Sequence, residues 1–159
     1  GAGHELTVNP IFGKPNQNVQ FQSDIFMIMP FREEYDMVYQ NVILPTVASL
    51  NLTIKRGDEF SSVSGQIMSE VWAALNACKL VIVETSVENA NVYYELGIAH
   101  TLGKPAILIT QGKDIEDFPF DIRHLRFIVY ENTIAGGEKL EEDLKKSIIW
   151  ILNDLEDGM

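Results

Sequence analysis

One cysteine, few cations and no long apolar run set the first limits on this chain of 159 residues. Cys78 has no partner for an internal disulfide, so a disulfide-stapled fold is excluded. It ends a helical pattern, Ala-Leu-Asn-Ala-Cys-Lys, and reads as a small buried thiol. A nucleophilic thiol needs a supporting base, and no histidine stands near it in sequence. No apolar stretch reaches the roughly 18 residues of a membrane span, and the amino terminus has no signal-peptide pattern, so a reducing cytoplasm is the expected compartment. Basic residues are scarce too: 12 Lys and Arg stand against 23 Asp and Glu, a formal charge of -11. Without a basic stripe, nucleic acid is excluded as a partner, and an anionic bilayer would repel this surface. A small ligand is not excluded, because local groups matter more to it than net charge.

Other absences narrow the chemistry. No loop carries the glycine spacing of a Walker motif or of a dinucleotide fingerprint. His100 and His124 have no ligand-spaced companions, so neither a metal nor a cofactor is expected. His100 reads as a helix-surface or interface residue, and His124 as part of a local polar network. No nucleophile elbow supports a Ser-His-Asp triad.

What is present is a regular alternation of strand and helix signals, with 46% hydrophobic residues to build a core. Gly1-Ala-Gly-His4 reads as the remnant of a tag, and residues 1–23 form a polar lead-in. One domain is expected over residues 24–155. An apolar run over 24–31 predicts a strand buried on both faces. Helical spacing over 33–50 puts Tyr35, Val38, Tyr39, Val42 and Ile43 on one side, and Pro45 should kink or shorten that helix. Leu52–Arg56 predicts a second strand. Ser61 or Ser62 can cap a helix whose Val63, Ile67, Val71 and Leu75 recur every fourth residue. Leu80–Val83, Pro105–Ile109 and Arg126–Tyr130 predict three more strands. Asn91–Leu102 predicts a helix ended by Gly103. A final helix should bury Leu140, Leu144, Ile148, Ile151, Leu152 and Leu155. This pattern predicts a flavodoxin-like, three-layer α/β domain with a five-stranded parallel sheet in the order 2-1-3-4-5.

In such a sheet ligands bind beyond the carboxyl ends of the strands. That rim should gather Met29-Pro-Phe-Arg32, Arg56-Gly-Asp-Glu59, Glu84-Thr-Ser86 with the loop to Asn91, and Thr110-Gln-Gly-Lys113. The most pointed residue is Glu95 in Asn91-Val-Tyr-Tyr-Glu-Leu-Gly97. An acid near a helix amino terminus gains about 0.3 to 1 kcal/mol from the helix dipole, which is a sufficient structural reason for it. Yet Tyr93, Tyr94 and Leu96 flank it, and a carboxylate with aromatic walls suits attack on, or stabilisation of, an electron-poor sugar carbon.

The segment Asn89-Ala-Asn-Val-Tyr-Tyr-Glu-Leu-Gly-Ile-Ala-His100 resembles the central motif of the nucleoside 2-deoxyribosyltransferase-like proteins, a superfamily shared with TIR and TIR-like nucleotide-binding domains. Met-Ile-Met-Pro-Phe31, Lys-Arg-Gly-Asp58 and Phe118-Pro-Phe-Asp-Ile-Arg-His-Leu-Arg126 resemble its other motifs in order, so the likeness spans about residues 24–152. The resemblance implies cleavage or transfer at the N-glycosidic bond of a nucleoside or nucleotide, NAD included, with Glu95 as the catalytic carboxylate and no cofactor. It also implies that Asp58 acts on sugar hydroxyls or the base, oriented by Arg56, and that Arg32 holds a phosphate. Phe31 either stacks on the base or plugs the loop, and Glu84, Thr85 and Ser86 line the floor. Asn89 and Asn91 bond the sugar or cap the helix, with capping favoured for Asn91. Relatives often carry aspartate where Glu84 stands and an acid near Asn89; a TIR-like hydrolase or sensor suits these residues better than a deoxyribosyltransferase. A binding or signalling module without turnover is the alternative reading, and a homo-oligomer fits the family habit of sharing sites between subunits.

Overall fold

A computed structural model describes residues 7–14, 22–57, 67–112, 114–122 and 125–158. The elements run β1 (Ile25–Ile28), α1 (Glu33–Val38), a π-helical turn (Tyr39–Ile43), α2 (Leu44–Ser49), β2 (Ile54–Arg56), α3 (Ile67–Ala77), β3 (Leu80–Glu84), α4 (Ala90–Thr101), β4 (Ala106–Thr110), a 3-10 turn (Ile115–Asp117), β5 (Arg126–Val129) and α5 (Ile134–Asp157). All strand pairs are parallel and their order is β2-β1-β3-β4-β5, the order that the alternation predicts.

The three inner strands read as unbroken apolar runs because helices cover both of their faces. Alternate side chains sort between two cores. Ile25, Met27, Leu80, Ile82, Ile107 and Ile109 pack with α1, the π turn, α2 and α5. Phe26, Ile28, Val81, Val83, Ala106 and Leu108 pack under α3 and α4.

Three elements differ from their sequence signals. β2 begins at Ile54, two residues late; Thr53 instead closes a bonded pair with the Asp24 carboxylate through its amide, 2.8 Å, and hydroxyl, 3.1 Å. Pro45 does not end its helix, which runs on to Ser49. It sits directly after the π turn, with the Leu44 amide bonded to the Tyr39 carbonyl, so the wide turn falls where proline removes a helical donor. Leu155 is 38% exposed, because α5 runs on past the core that buries Leu140, Leu144, Ile148 and Ile151. The proposed caps Ser61 and Ser62, with Val63, lie outside the described residues. Gly103 ends α4 as expected, with a left-handed φ of +75° and its amide on the His100 carbonyl.

Candidate active site

At the carboxyl rim two of the four expected segments, Glu84-Thr-Ser86 and the one that holds Gln111, meet in one network. β3 ends in Glu84, whose side chain follows Leu80 and Ile82 onto the face covered by α1 and α5. It is 1% exposed and accepts three hydrogen bonds: from the Ser86 amide at 2.9 Å, from the Ser86 hydroxyl, and from the Tyr130 hydroxyl at 2.5 Å. Gln111, just past β4, ties in twice. Its amide donates to the Ser86 hydroxyl oxygen at 2.9 Å, and its side-chain nitrogen donates to the Tyr130 oxygen at 2.9 Å. Burial pushes the Glu84 pKa up, while the Ser86 and Tyr130 donors pull against it. Burial, and then the charge of Glu84, push the Tyr130 phenol up as well. This closed network joins the ends of β3, β4 and β5; Gln111 comes from the expected Thr110-Gln-Gly-Lys113 segment, whereas Tyr130 reads on sequence only as the end of a strand. Thr85 is fully buried and bonds the Ile109 carbonyl at 3.0 Å, so it fastens β3 to β4.

The β1 and β2 ends contribute separately. Phe31 is 65% exposed, which removes the plug and leaves a ring open to a ligand. Arg32 is exposed, with Glu34 at 3.9 Å. Arg56 reaches α1 and the π turn: it pairs with Asp36 at 2.8 Å and lies 4.8 Å from the centre of the Tyr39 ring. Asp58, which Arg56 was expected to orient, lies outside the described residues.

On the other face of the sheet, α4 carries Glu95. Helix α4 starts because Asn89, in an extended conformation, accepts the Val92 amide on its side-chain oxygen at 3.0 Å. The cap is therefore Asn89, and Asn91, favoured for that part on sequence, already lies within the helix. From there its side-chain nitrogen reaches Glu95 Oε1 at 3.4 Å. The flanking tyrosines do not wall the carboxylate either, since each step along a helix turns about 100°. Tyr93 packs edge-on against Phe120, with ring centres 5.3 Å apart, and Tyr94 is 54% exposed.

Glu95 instead shares the buried side of the helix with Val92 and Ala99 and is 8% exposed. It lies in the second turn, beyond the first-turn reach of the helix dipole. Burial raises its pKa to about 7, with only the Asn91 bond opposing the shift. Among the described residues no cation pairs with it. A buried carboxyl left without a counter-charge, poised near neutrality, is the arrangement that proton transfer and nucleophilic attack require.

These parts hang on an open parallel sheet whose ligand rim is defined by topology. The chain shares its fold with a CMP N-glycosidase. That protein, BcmB of Clostridium botulinum, aligns with a TM-score of 0.56 and 21% identity over 74% of this chain and 96% of its own. No family model matches the chain, and no curated protein matches it either. Among the described residues no group of His, Cys, Asp and Glu is arranged to hold a metal ion, and no helix is long and apolar enough to cross a membrane.

Proposed function

We propose that this chain is a single catalytic domain over residues 24–155 that cleaves the N-glycosidic bond of a nucleoside or nucleotide. Glu95 carries the reading: it is a buried carboxyl near the ligand rim with no charged partner among the described residues and a pKa raised to about 7. The shared fold with a protein that cleaves CMP at this bond supports the same class of substrate.

In this reading the ionised Glu95 attacks or stabilises the anomeric carbon. The bond from that carbon to the base breaks, the electron pair leaves with the base nitrogen, and water or a second base takes the sugar. Asn91 donates to Glu95 and steadies its orientation. Phe31 offers a face for stacking and Arg32 a forked cation for a phosphate. Glu84, Thr85 and Ser86 act as the braced floor of the rim, and Asp58 handles the sugar hydroxyls. NAD belongs in the substrate set through the resemblance to TIR-like domains.

A chromatographic screen for released base tests this, with CMP, other nucleotides, nucleosides and NAD offered to wild type and to Glu95→Gln. Release that disappears in a folded Glu95→Gln protein supports glycosidic chemistry. Release that persists removes Glu95 from the reaction. No release from any candidate favours a nucleotide-binding or signalling module.

A further inference from the structure

Arg126 opens β5 at the amino end of the sheet, on the rim opposite the one treated above. Its guanidinium carbon lies 4.0 Å from the centre of the Trp150 ring on α5. Among the described residues no carboxylate pairs with it, although acids outnumber bases by 23 to 12 in the chain. The pair lines a groove of about 380 Å³ whose other walls include His100, Lys104, Pro105 and Leu125. Lys104 is fixed there, its Nζ donating to the carbonyls of Asn76 at 2.9 Å and Cys78 at 2.7 Å. Its charge therefore faces backbone oxygens and no carboxylate. Partial burial lowers the His100 pKa and so favours the neutral ring, which offers one N–H and one acceptor.

We propose that this groove binds a small aromatic anion, a carboxylate or phosphate ester on a flat ring. The indole shields one face of the Arg126 guanidinium from water and leaves its in-plane N–H forks open. Those forks match carboxylate and phosphate oxygens two at a time. The ring of the ligand lies against Leu125, Pro105 and the 55% exposed Trp150. The volume falls at the lower end of small-molecule clefts, roughly 300–1,000 Å³, and suits one ring with one anionic group. The site stands on the opposite rim from Glu95 and does not depend on the reaction proposed there.

Isothermal titration with phenyl phosphate tests the proposal, with inorganic phosphate and phenol as the separate halves of the probe. Wild type should bind phenyl phosphate saturably at one site and more tightly than either half. Arg126→Gln should weaken binding about tenfold or more, as expected for loss of a charge-assisted pair. Arg126→Lys, which keeps the charge and loses the fork, should fall between the two. Trp150→Leu should weaken phenyl phosphate more than inorganic phosphate, at an unchanged circular dichroism spectrum. Absence of saturable heat in wild type overturns the proposal, and so does unchanged affinity in a folded Arg126→Gln protein.

Discussion

The hydroxyl of Tyr130 donates to the carboxylate of Glu84 across 2.5 Å, joining the end of edge strand β5 to the end of central strand β3. The two residues are 46 apart in sequence, and the Glu84 carboxylate, which Ser86 also bonds, is almost wholly out of water. A buried carboxylate is tolerable only when donors replace the lost solvent. Here three donors do so, which favours a bracing part for Glu84 over a proton-transfer part.

Tyr130→Phe removes one of those donors without changing shape. It should destabilise the fold by about 1.5 to 3 kcal/mol, the range for a bond to a charged group. The missing bond lowers the Glu84 pKa in the native protein, so its loss moves that pKa further up. The destabilisation should therefore grow as pH rises and Glu84 ionises. Thermal unfolding of both proteins between pH 5 and 8 measures it.

Glu95→Gln should separate function from stability. The native pKa, about 7, lies above the ordinary 4.5, so the folded state binds the proton more tightly than the unfolded one. Stability falls as pH rises between those values. Glutamine does not titrate. The variant should match wild type below pH 4.5 and exceed it by about 3 kcal/mol above pH 7, since each tenfold gain in proton affinity corresponds to roughly 1.4 kcal/mol. Base release should fall at least about 100-fold in the variant, and in wild type it should rise with pH through about 7. Denaturant titrations and a pH–rate profile check the two halves.

The two asparagines of the motif should behave differently. Asn89→Ala deletes the α4 cap and should cost about 1 kcal/mol. Asn91→Ala loses no cap and should leave stability within about 0.5 kcal/mol. It should also raise the Glu95 pKa, since the bond it removes is the one that lowers it. Carboxyl-carbon NMR titration of Glu95 reads the change.

Adjacent glycines at the start of α5 offer a second contrast. A methyl group on Gly136 would stand 2.0 Å from the Glu131 carbonyl oxygen, whereas one on Gly137 meets only Val42, at 3.4 Å. Gly136→Ala should therefore cost about 3 kcal/mol or more, because backbone has to move. Gly137→Ala should change stability by less than about 1 kcal/mol, with the gain in helix propensity offsetting the tight contact. Chemical denaturation of the pair decides it.

Much of this fold is legible in the sequence for a physical reason: strands covered on both faces have to be continuously apolar, as Ile25–Ile28 and Leu80–Val83 are, and the helices between them have to keep a stripe. Long-range polar partnership leaves no such trace. Glu84 and Gln111 both read as rim residues, but nothing near either points to Tyr130, which reaches them through the strand order. Asn-Ala-Asn offers two caps of equal chemistry, and only the backbone conformation at Asn89 selects one. The tyrosines beside Glu95 mislead because neighbours in a helix sequence face different ways. The Pro45 signal is real, yet it surfaces as the wide turn before the proline and not as an end to the helix.

The π turn ahead of Pro45 acts as a phase corrector. Tyr35, Tyr39, Ile43 and Val47 are buried at a strict spacing of four, and in a regular helix each such step overshoots a full turn by about 40°. Over three steps the stripe would drift by about 120° and carry Val47 off the sheet. The wider turn over Tyr39–Ile43 resets that drift midway. Its extra residue works as a vernier: with one residue deleted there, eleven steps of about 100° would separate Tyr35 from Val47, only about 20° past three full turns, so a plain α-helix would hold Val47 on the sheet and the wide turn would have no drift left to absorb.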